Sequence, residues 1–160
     1  MMIRSATQDD LAAIGDLWQS LVEHHMALDA AMPRPAADGA ARYADRLANM
    51  LNDPYAQALV AEVDGRVVGY VTALIAEMRA EMFAEERAGL IADIYVHPSF
   101  RGAGIGRALL GALNDWFRLR GAAYVEWYVA SRNEAARGFW QRVGGRDVMV
   151  RMRLDLDQDA

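Results

Sequence analysis

The chain has no cysteine among its 160 residues. Disulfides, thiolate nucleophiles and cysteine-based zinc sites are thereby excluded, which agrees with a reducing cytosol. Long apolar runs are missing too: none approaches the roughly 18 residues of a membrane span. The N-terminal Met1-Met2-Ile3-Arg4-Ser5 turns polar at once, so a soluble, cytoplasmic chain with no membrane partner is expected. There is no block rich in Lys or Arg. With 17 basic against 22 acidic residues and a net charge of -5, the chain lacks the electrostatic footprint of a nucleic-acid binder. Internal repeats and low-complexity tracts are absent as well. Adjacent His24 and His25 would point about 100° apart on a helix, a poor shared metal site that favours capping or solvent exposure. No metal is expected, and the length suits a single domain, 1–160, with one core. A homodimer is an assembly open to it.

Periodicity supplies the elements. Ile3 to Ala6 reads as a short strand, and Thr7-Gln8-Asp9-Asp10 offers a hydroxyl cap with a carboxylate three residues on. Leu11, Ile14, Trp18, Leu21 and Val22 follow at helical spacing. Pro33 and Pro35 break the pattern across 30–39, a surface connection or lid, before a second helix around 40–51. Ala58 to Val63 and Arg66 to Ile75, joined by Asp64-Gly65, read as a hairpin. Residues 77–88 read as a loop beside the substrate. Leu90 to Val96 is the next strand, and Ile105 to Phe117 carries one apolar helical face that Gly121 ends. Tyr124 to Val129 reads as a strand, and Ser131-Arg132-Asn133-Glu134 as a capping box opening a short helix through Val143. Val148, Val150, Met152, Leu154 and Leu156 then alternate with Met149, Arg151, Arg153 and Asp155, the period of a closing strand.

Arg101-Gly102-Ala103-Gly104-Ile105-Gly106 sits where a strand ends and the amphipathic helix begins. Glycines leave main-chain N–H groups free of Cβ shielding, so several can point at one anion, and the helix adds the positive end of its dipole. Arg101 puts a full charge at the rim. A Walker loop begun at Gly102 would need Gly-Lys-Ser/Thr where Arg107, Ala108 and Leu109 stand, and a dinucleotide fingerprint fails at Arg107 or Leu109. The run matches Arg/Gln-x-x-Gly-x-Gly/Ala after a strand ending in Ile94-Tyr95-Val96-His97-Pro98. Farther on comes Asn133-x-x-Ala136-x-x-Phe139-Trp140-x-x-x-Gly144, after a strand holding Glu126-Trp127-Tyr128-Val129.

Two signatures in this order, preceded by Ile3-Arg4-x-Ala6-Thr7 and a hairpin with Gly69, resemble the GNAT N-acetyltransferases over nearly the whole chain. The resemblance implies an α/β acyltransferase fold: a mixed, mostly antiparallel sheet with helices on both faces. Its central parallel strand pair, Leu90 to Val96 and Tyr124 to Val129, would splay apart at the acetyl-CoA site. Main-chain groups of Ile94, Tyr95 and Val96 would pair with pantetheine. Residues Arg101, Gly102, Ala103, Gly104, Ile105, Gly106 and Arg107 would enclose the pyrophosphate, and Asn133, Phe139 and Trp140 would line the cofactor arm. The Val96 N–H would polarise the thioester carbonyl. Acetyl-CoA is then the cosubstrate and a primary amine the acceptor, with Leu90 to Val129 most similar to the small-molecule amine branch, polyamine-type and antibiotic-modifying members included. Peptide N-termini and lysines stay open as acceptors, as does a non-catalytic acyl-CoA-binding module.

Acetylation requires that the amine lose a proton. Asp93 and Glu126, on neighbouring strands, are the carboxylates best placed to take it directly or through water, although Asp93 could equally orient the ammonium or serve structure. The chain departs from the family pattern twice. Ala92 stands where relatives often have a glutamate, and Trp140 stands where many have a tyrosine that protonates the leaving thiolate. Indole cannot act as that acid; Tyr95, Tyr128 or bulk water could substitute.

Overall fold

A computed structural model describes residues 1–76 and 86–156. Most of the loop read over 77–88, from 77 to 85, therefore lies outside the described residues. The described residues form five strands and four α-helices, in the order β1 (Met2–Ser5), α1 (Leu11–Leu28), α2 (Gly39–Met50), β2 (Ala56–Val63), β3 (Arg66–Ala76), β4 (Ala88–Val96), α3 (Ile105–Leu119), β5 (Tyr124–Trp127) and α4 (Glu134–Arg142). The sheet runs in the order β1-β2-β3-β4-β5, antiparallel except for the parallel pair β4-β5.

Strand alternation divides the apolar side chains between two layers. Leu59, Ala61, Val71, Ala73 and Ile91 face Leu109, Leu113 and Phe117 of α3 and Trp140 of α4. Val60, Tyr70 and Tyr95 face the other way, onto Ile14, Leu17 and Leu21 of α1 and Leu47 of α2. The hairpin β2-β3 turns tightly because Asp64 and Gly65 both adopt positive φ, 51° and 74°. No helix among the described residues is long and apolar enough to cross a membrane.

An irregularity in β4 carries the later argument. Ala73 pairs with Ile91 and Thr72 with Asp93, so Ala92 is an extra residue, a β-bulge. It reverses the phase of the strand. Beyond it Tyr95 packs toward α1 and α2, while Ile94 and Val96 pack with Ile91 on the α3 side.

The structure differs from the sequence reading in three places. β5 ends at Trp127, short of Val129. Asn133, not Ser131, caps α4, its side chain accepting from the Ala136 N–H. The closing strand read over 148–156 is not formed: among the described residues those positions pair with no strand, and Met149 and Met152 are 90% and 88% exposed. Alternation says that one face of a segment is apolar; it does not supply the edge on which a strand must hydrogen-bond. With nothing added beyond β5, the parallel pair lies at the edge of the described sheet.

β1 is tied to α1 through a buried carboxylate. Arg4 holds Asp10 through both oxygens, at 2.7 and 2.8 Å, and reaches Glu62 on β2 at 2.9 Å. The Thr7 N–H also donates to Asp10, at 2.8 Å. The Arg4 guanidinium holds the Asp10 carboxyl down at about 2, with burial opposing it. A depressed folded pKa contributes stability above the ordinary value of 3.8 and loses it as the pH falls toward about 2. Asp10→Asn should therefore cost about 2 kcal/mol at pH 7. Urea denaturation across pH should show that difference from the parent shrinking through the same window; a constant difference would contradict the assignment.

Candidate functional site

Pairing between β4 and β5 runs from Ala88 opposite Tyr124 to Ile91 opposite Trp127, and stops where the bulge begins. The strands separate over a cavity of about 540 Å³ walled by β4, the segment after β5, the N-terminus of α3, α4 and the end of α1. Beyond the bulge one edge of β4 faces this gap. The His97 N–H donates to the Val68 carbonyl of β3 at 2.8 Å, so by alternation the N–H and C=O of Val96 point away from β3. Arg101 occupies the Val96 carbonyl through Nε at 2.9 Å, and its guanidinium lies 5.2 Å from the centroid of the Tyr95 ring.

The glycine loop opens onto the same cavity. Gly102 and Gly104 have φ of 82° and 80°, a conformation that excludes most side chains, and no side chain caps α3 at Gly104. The first-turn N–H groups of α3 are thus left for an anion. A Cβ on Gly102 or Gly104 would meet nothing within 4 Å, so glycine is required there by backbone conformation and the space above it is free. Gly106 instead meets Phe139, whose ring would lie 3.5 Å from an added Cβ.

Of the expected site residues, Asp93, Ile94, Tyr95, Val96, Arg101, Gly102, Gly104, Ile105, Gly106, Arg107, Asn133, Phe139 and Trp140 line the cavity, whereas Ala103 and Glu126 do not. Glu126 lies between Val125 and Trp127, which pack into the α3-side core, so its side chain projects from the opposite face. Asn133 is buried with its Oδ1 engaged by the Ala136 N–H at 3.0 Å. Trp140 is buried against Trp127, ring centroids 4.3 Å apart, and against Phe139 at 5.0 Å. Tyr128 lines the cavity while 76% exposed.

Asp93 is half-buried and accepts a 2.8 Å hydrogen bond from the Tyr43 hydroxyl of α2. That hydroxyl also lies 3.3 Å from Thr72 Oγ1. Burial pushes the Asp93 carboxyl above its ordinary value, and the Tyr43 hydrogen bond and the charges of Arg46 and His25 pull against the rise. Burial and the neighbouring carboxylate push the Tyr43 phenol up, which keeps it a proton donor. His24 and His25 line the cavity half-buried, where capping or exposure was expected. Burial lowers both pKa values, with Arg101 adding to the fall at His24 and His24 adding to it at His25. Among the described residues no group of three or more His, Asp and Glu side chains could hold a metal.

Sequence reasoning missed Tyr43, Thr72 and both histidines as site residues. Tyr43 precedes Leu47 by one helical turn and reads as core, and nothing local connects it to a strand fifty positions away.

The family model described as the acetyltransferase (GNAT) family matches residues 18–145. A glucosamine 6-phosphate N-acetyltransferase of Trypanosoma brucei brucei is 36% identical over 93 residues, 58% of this chain and 59% of that one. The chain spans between 37% and 59% of the length of the curated relatives it matches. A Bacillus halodurans protein solved as a tetramutant shares the fold with a TM-score of 0.87 at 22% identity, over 98% of this chain and 100% of that one. An aminoglycoside N-acetyltransferase solved in complex with CoA does so at 0.73 and 20%, over 96% and 95%.

Because the Tyr43 hydroxyl stabilises the ionised carboxylate, Tyr43→Phe should raise the Asp93 pKa further. Carbonyl-carbon NMR titration of the Asp93 side chain reads this directly, and an unchanged or lowered midpoint would count against the contact.

Proposed function

The chain belongs to the acetyltransferase (GNAT) family, and from that premise we propose that it is an acetyl-CoA-dependent N-acetyltransferase acting on a primary amine of a small molecule. The observation that carries the proposal is the convergence of three features on one cavity: the open edge of β4 at Val96, the uncapped N-terminus of α3, and Asp93. The solved aminoglycoside enzyme with CoA supports the choice of cosubstrate, and the glucosamine 6-phosphate enzyme supports a small amine as acceptor.

Acetyl-CoA supplies an acetyl group activated as a thioester. Ile94, Tyr95 and Val96 hold its pantetheine arm along the strand edge. Residues Gly102 to Arg107, Ala103 among them, receive the pyrophosphate on N–H groups and the helix dipole, and Asn133, Phe139 and Trp140 close the far wall. The Val96 N–H donates to the carbonyl oxygen as negative charge develops there, an effect worth ~10²-fold. A primary amine with pKa near 10 is neutral in about one molecule per thousand at pH 7. We assign the proton to Asp93, directly or through one water. Burial strengthens it as a base, and the acid or base role of such a group is worth ~10²- to 10⁴-fold. Glu126 projects from the same side of the sheet as Asp93 but does not line the cavity, and we give it no part in the proton transfer.

The packed indole of Trp140 donates no proton to sulfur. A thiolate with pKa near 8.5, by analogy with cysteine, departs at neutral pH without an acid. The chain has no cysteine to form an acyl-enzyme thioester, and the reading we propose has the amine attack the thioester directly.

We also read the C-terminal segment as one half of a homodimer contact. Val150, Leu154 and Leu156 are 78%, 83% and 82% exposed in a strand-like pattern, and β5 has an unpaired outer edge among the described strands. A second copy offers the complement of each. Light scattering should give twice the chain mass, reduced to one on truncation before Val148; a monomeric parent removes this contact.

Two variants test the enzyme reading. Gly104→Val forces a β-branched residue to positive φ and should raise the CoA dissociation constant at least tenfold. Asp93→Asn should keep CoA affinity, lower thiol release at pH 7 by ~10²-fold and abolish the rise of rate with pH that follows the parent's ionisation. Unchanged CoA affinity in folded Gly104→Val sinks the cofactor placement, and a full rate with the parental pH profile in Asp93→Asn moves the proton to water. Tight CoA binding with no thiol release from any amine would instead make the chain a binding module.

A further inference from the structure

A second cavity, of about 400 Å³, adjoins the first. His25 belongs to both walls, and Tyr43, which lines the second, is hydrogen-bonded to Asp93, which lines the first. The second cavity lies between α1, α2 and their connection. Its flat side is the indole of Trp18 stacked on Tyr43, centroids 5.1 Å apart and planes 14° from parallel. The approach is close because residue 39 is glycine: a Cβ there would lie 2.9 Å from the Trp18 ring. Pro33 and Pro35 stiffen the rim.

The charges on this wall are of one sign. Arg34, Arg42 and Arg46 line it, and among the described residues no carboxylate does, in a chain with 22 acidic residues and a net charge of -5. Arg42 is paired at 2.9 Å with Asp38, the residue at the N-cap of the same helix. Arg34 and Arg46 make no ion pair with any described residue. Every basic residue of the chain is arginine, whose planar fork matches the two oxygens of a carboxylate or the face of a phosphate. Two guanidiniums outside any ion pair with a described residue, that of Arg46 also acting on Asp93 through its charge, stand over an aromatic floor and suit an oxyanion attached to an apolar or ring-like body.

We propose that the acceptor amine carries an oxyanion, a phosphate or a carboxylate, which Arg34 and Arg46 hold in the second cavity while the amine reaches Asp93 in the first. The proposal rests on the enzyme reading above and narrows its substrate class. It also explains the arrangement of charge along the path: the ammonium end of a dipolar substrate is drawn to Asp93 and its anionic end to the arginines, so orientation is set before the amine loses its proton. A polycationic amine would meet repulsion in the second cavity.

The test compares amines that differ only in the anion: ethanolamine with O-phosphoethanolamine, and tyramine with tyrosine, for the phosphate and carboxylate arms. In the parent, kcat/KM should favour the anionic member of at least one pair tenfold or more, chiefly through KM. The double variant Arg34→Ala/Arg46→Ala should collapse that ratio toward unity, and Arg34→Lys/Arg46→Lys should restore part of it. Equal kcat/KM within both pairs in the parent, or a preference that survives the alanine double variant, overturns the proposal. If no amine is acetylated, the enzyme reading has failed, and calorimetric binding of O-phosphoethanolamine and tyrosine still decides this one. At least one must bind the parent tenfold more tightly than it binds the alanine double variant, and absence of that difference for both overturns the oxyanion site.

Discussion

One extra residue in β4 governs the site. With Ala92 bulged out, Asp93 and Tyr95 turn toward α1 and α2, and Ile94 and Val96 turn toward α3. In an unbulged register Asp93 would project into the apolar layer that Leu109, Leu113 and Phe117 fill, where a lone carboxylate costs several kcal/mol or takes up a proton. The same residue ends the parallel ladder, since pairing with β5 stops at Ile91. The open strand edge and the aimed carboxylate therefore share one cause. A glutamate immediately before Asp93, as in the pattern the chain resembles, would occupy the bulge itself; with Ala92 there, Asp93 is the next carboxylate position on the strand, and the bulge controls its direction.

The separation of the strands has to be held against the tendency of edges to pair. Trp127, the last residue of β5, packs on Trp140 of α4, and a Cβ on Gly145 would lie 2.7 Å from the Trp127 ring. The two indoles and the glycine that admits them fill the space beneath the parting strands. Phe139, next to Trp140, meets Gly106 in the first turn of α3, so the glycine loop and the far wall are packed against each other. Trp140 thus has a packing role large enough to account for an aromatic residue at that position without any proton chemistry. Truncating an aromatic side chain so buried costs ~3 to 5 kcal/mol in comparable cores.

Local patterns made much of this legible. The apolar stripe from Ile105 to Phe117 and the glycine spacing before it located α3 and the loop, because helical period and backbone permissiveness are properties of neighbours in sequence. Where tertiary pairing decides, the pattern ran out. The alternation from Val148 to Leu156 is a strand's period, yet a strand exists only with a partner edge. Ser131 and Asn133 are both good caps, and the choice between them depends on where the chain leaves the splayed β5. The bulge leaves no mark beyond an alanine. Tyr43 meets Asp93 only because α2 crosses the face to which the bulge turns that side chain, a coincidence of two elements fifty residues apart. The arginines on α2 and its preceding loop read as ordinary surface charge until the cavity beside Asp93 brings them onto one wall.

Two aspartates show how the fold distributes electrostatic cost. Asp10 is matched by Arg4 and the Thr7 N–H, so its folded pKa is depressed, and at neutral pH it contributes stability that is lost only in acid. Asp93 has the opposite sign. Its folded pKa lies above the ordinary value through burial, so the folded chain binds that proton more tightly than the unfolded one, and stability falls as the pH rises through the raised value. An Asp93 fully matched by a buried arginine would be a more stabilising residue and a weaker base. Tyr43 supplies an intermediate solution: a neutral donor that orients the carboxylate and limits the desolvation penalty without a cation's full depression of its basicity. Arg46 and His25 act on it only through their charge, so the carboxylate is held by one hydrogen bond and is partly desolvated. The firm anchoring of β1 to α1 through Asp10 and the costly aspartate on β4 are then complementary: α1 and α2, fixed against the sheet by the first, provide the wall that makes the second basic.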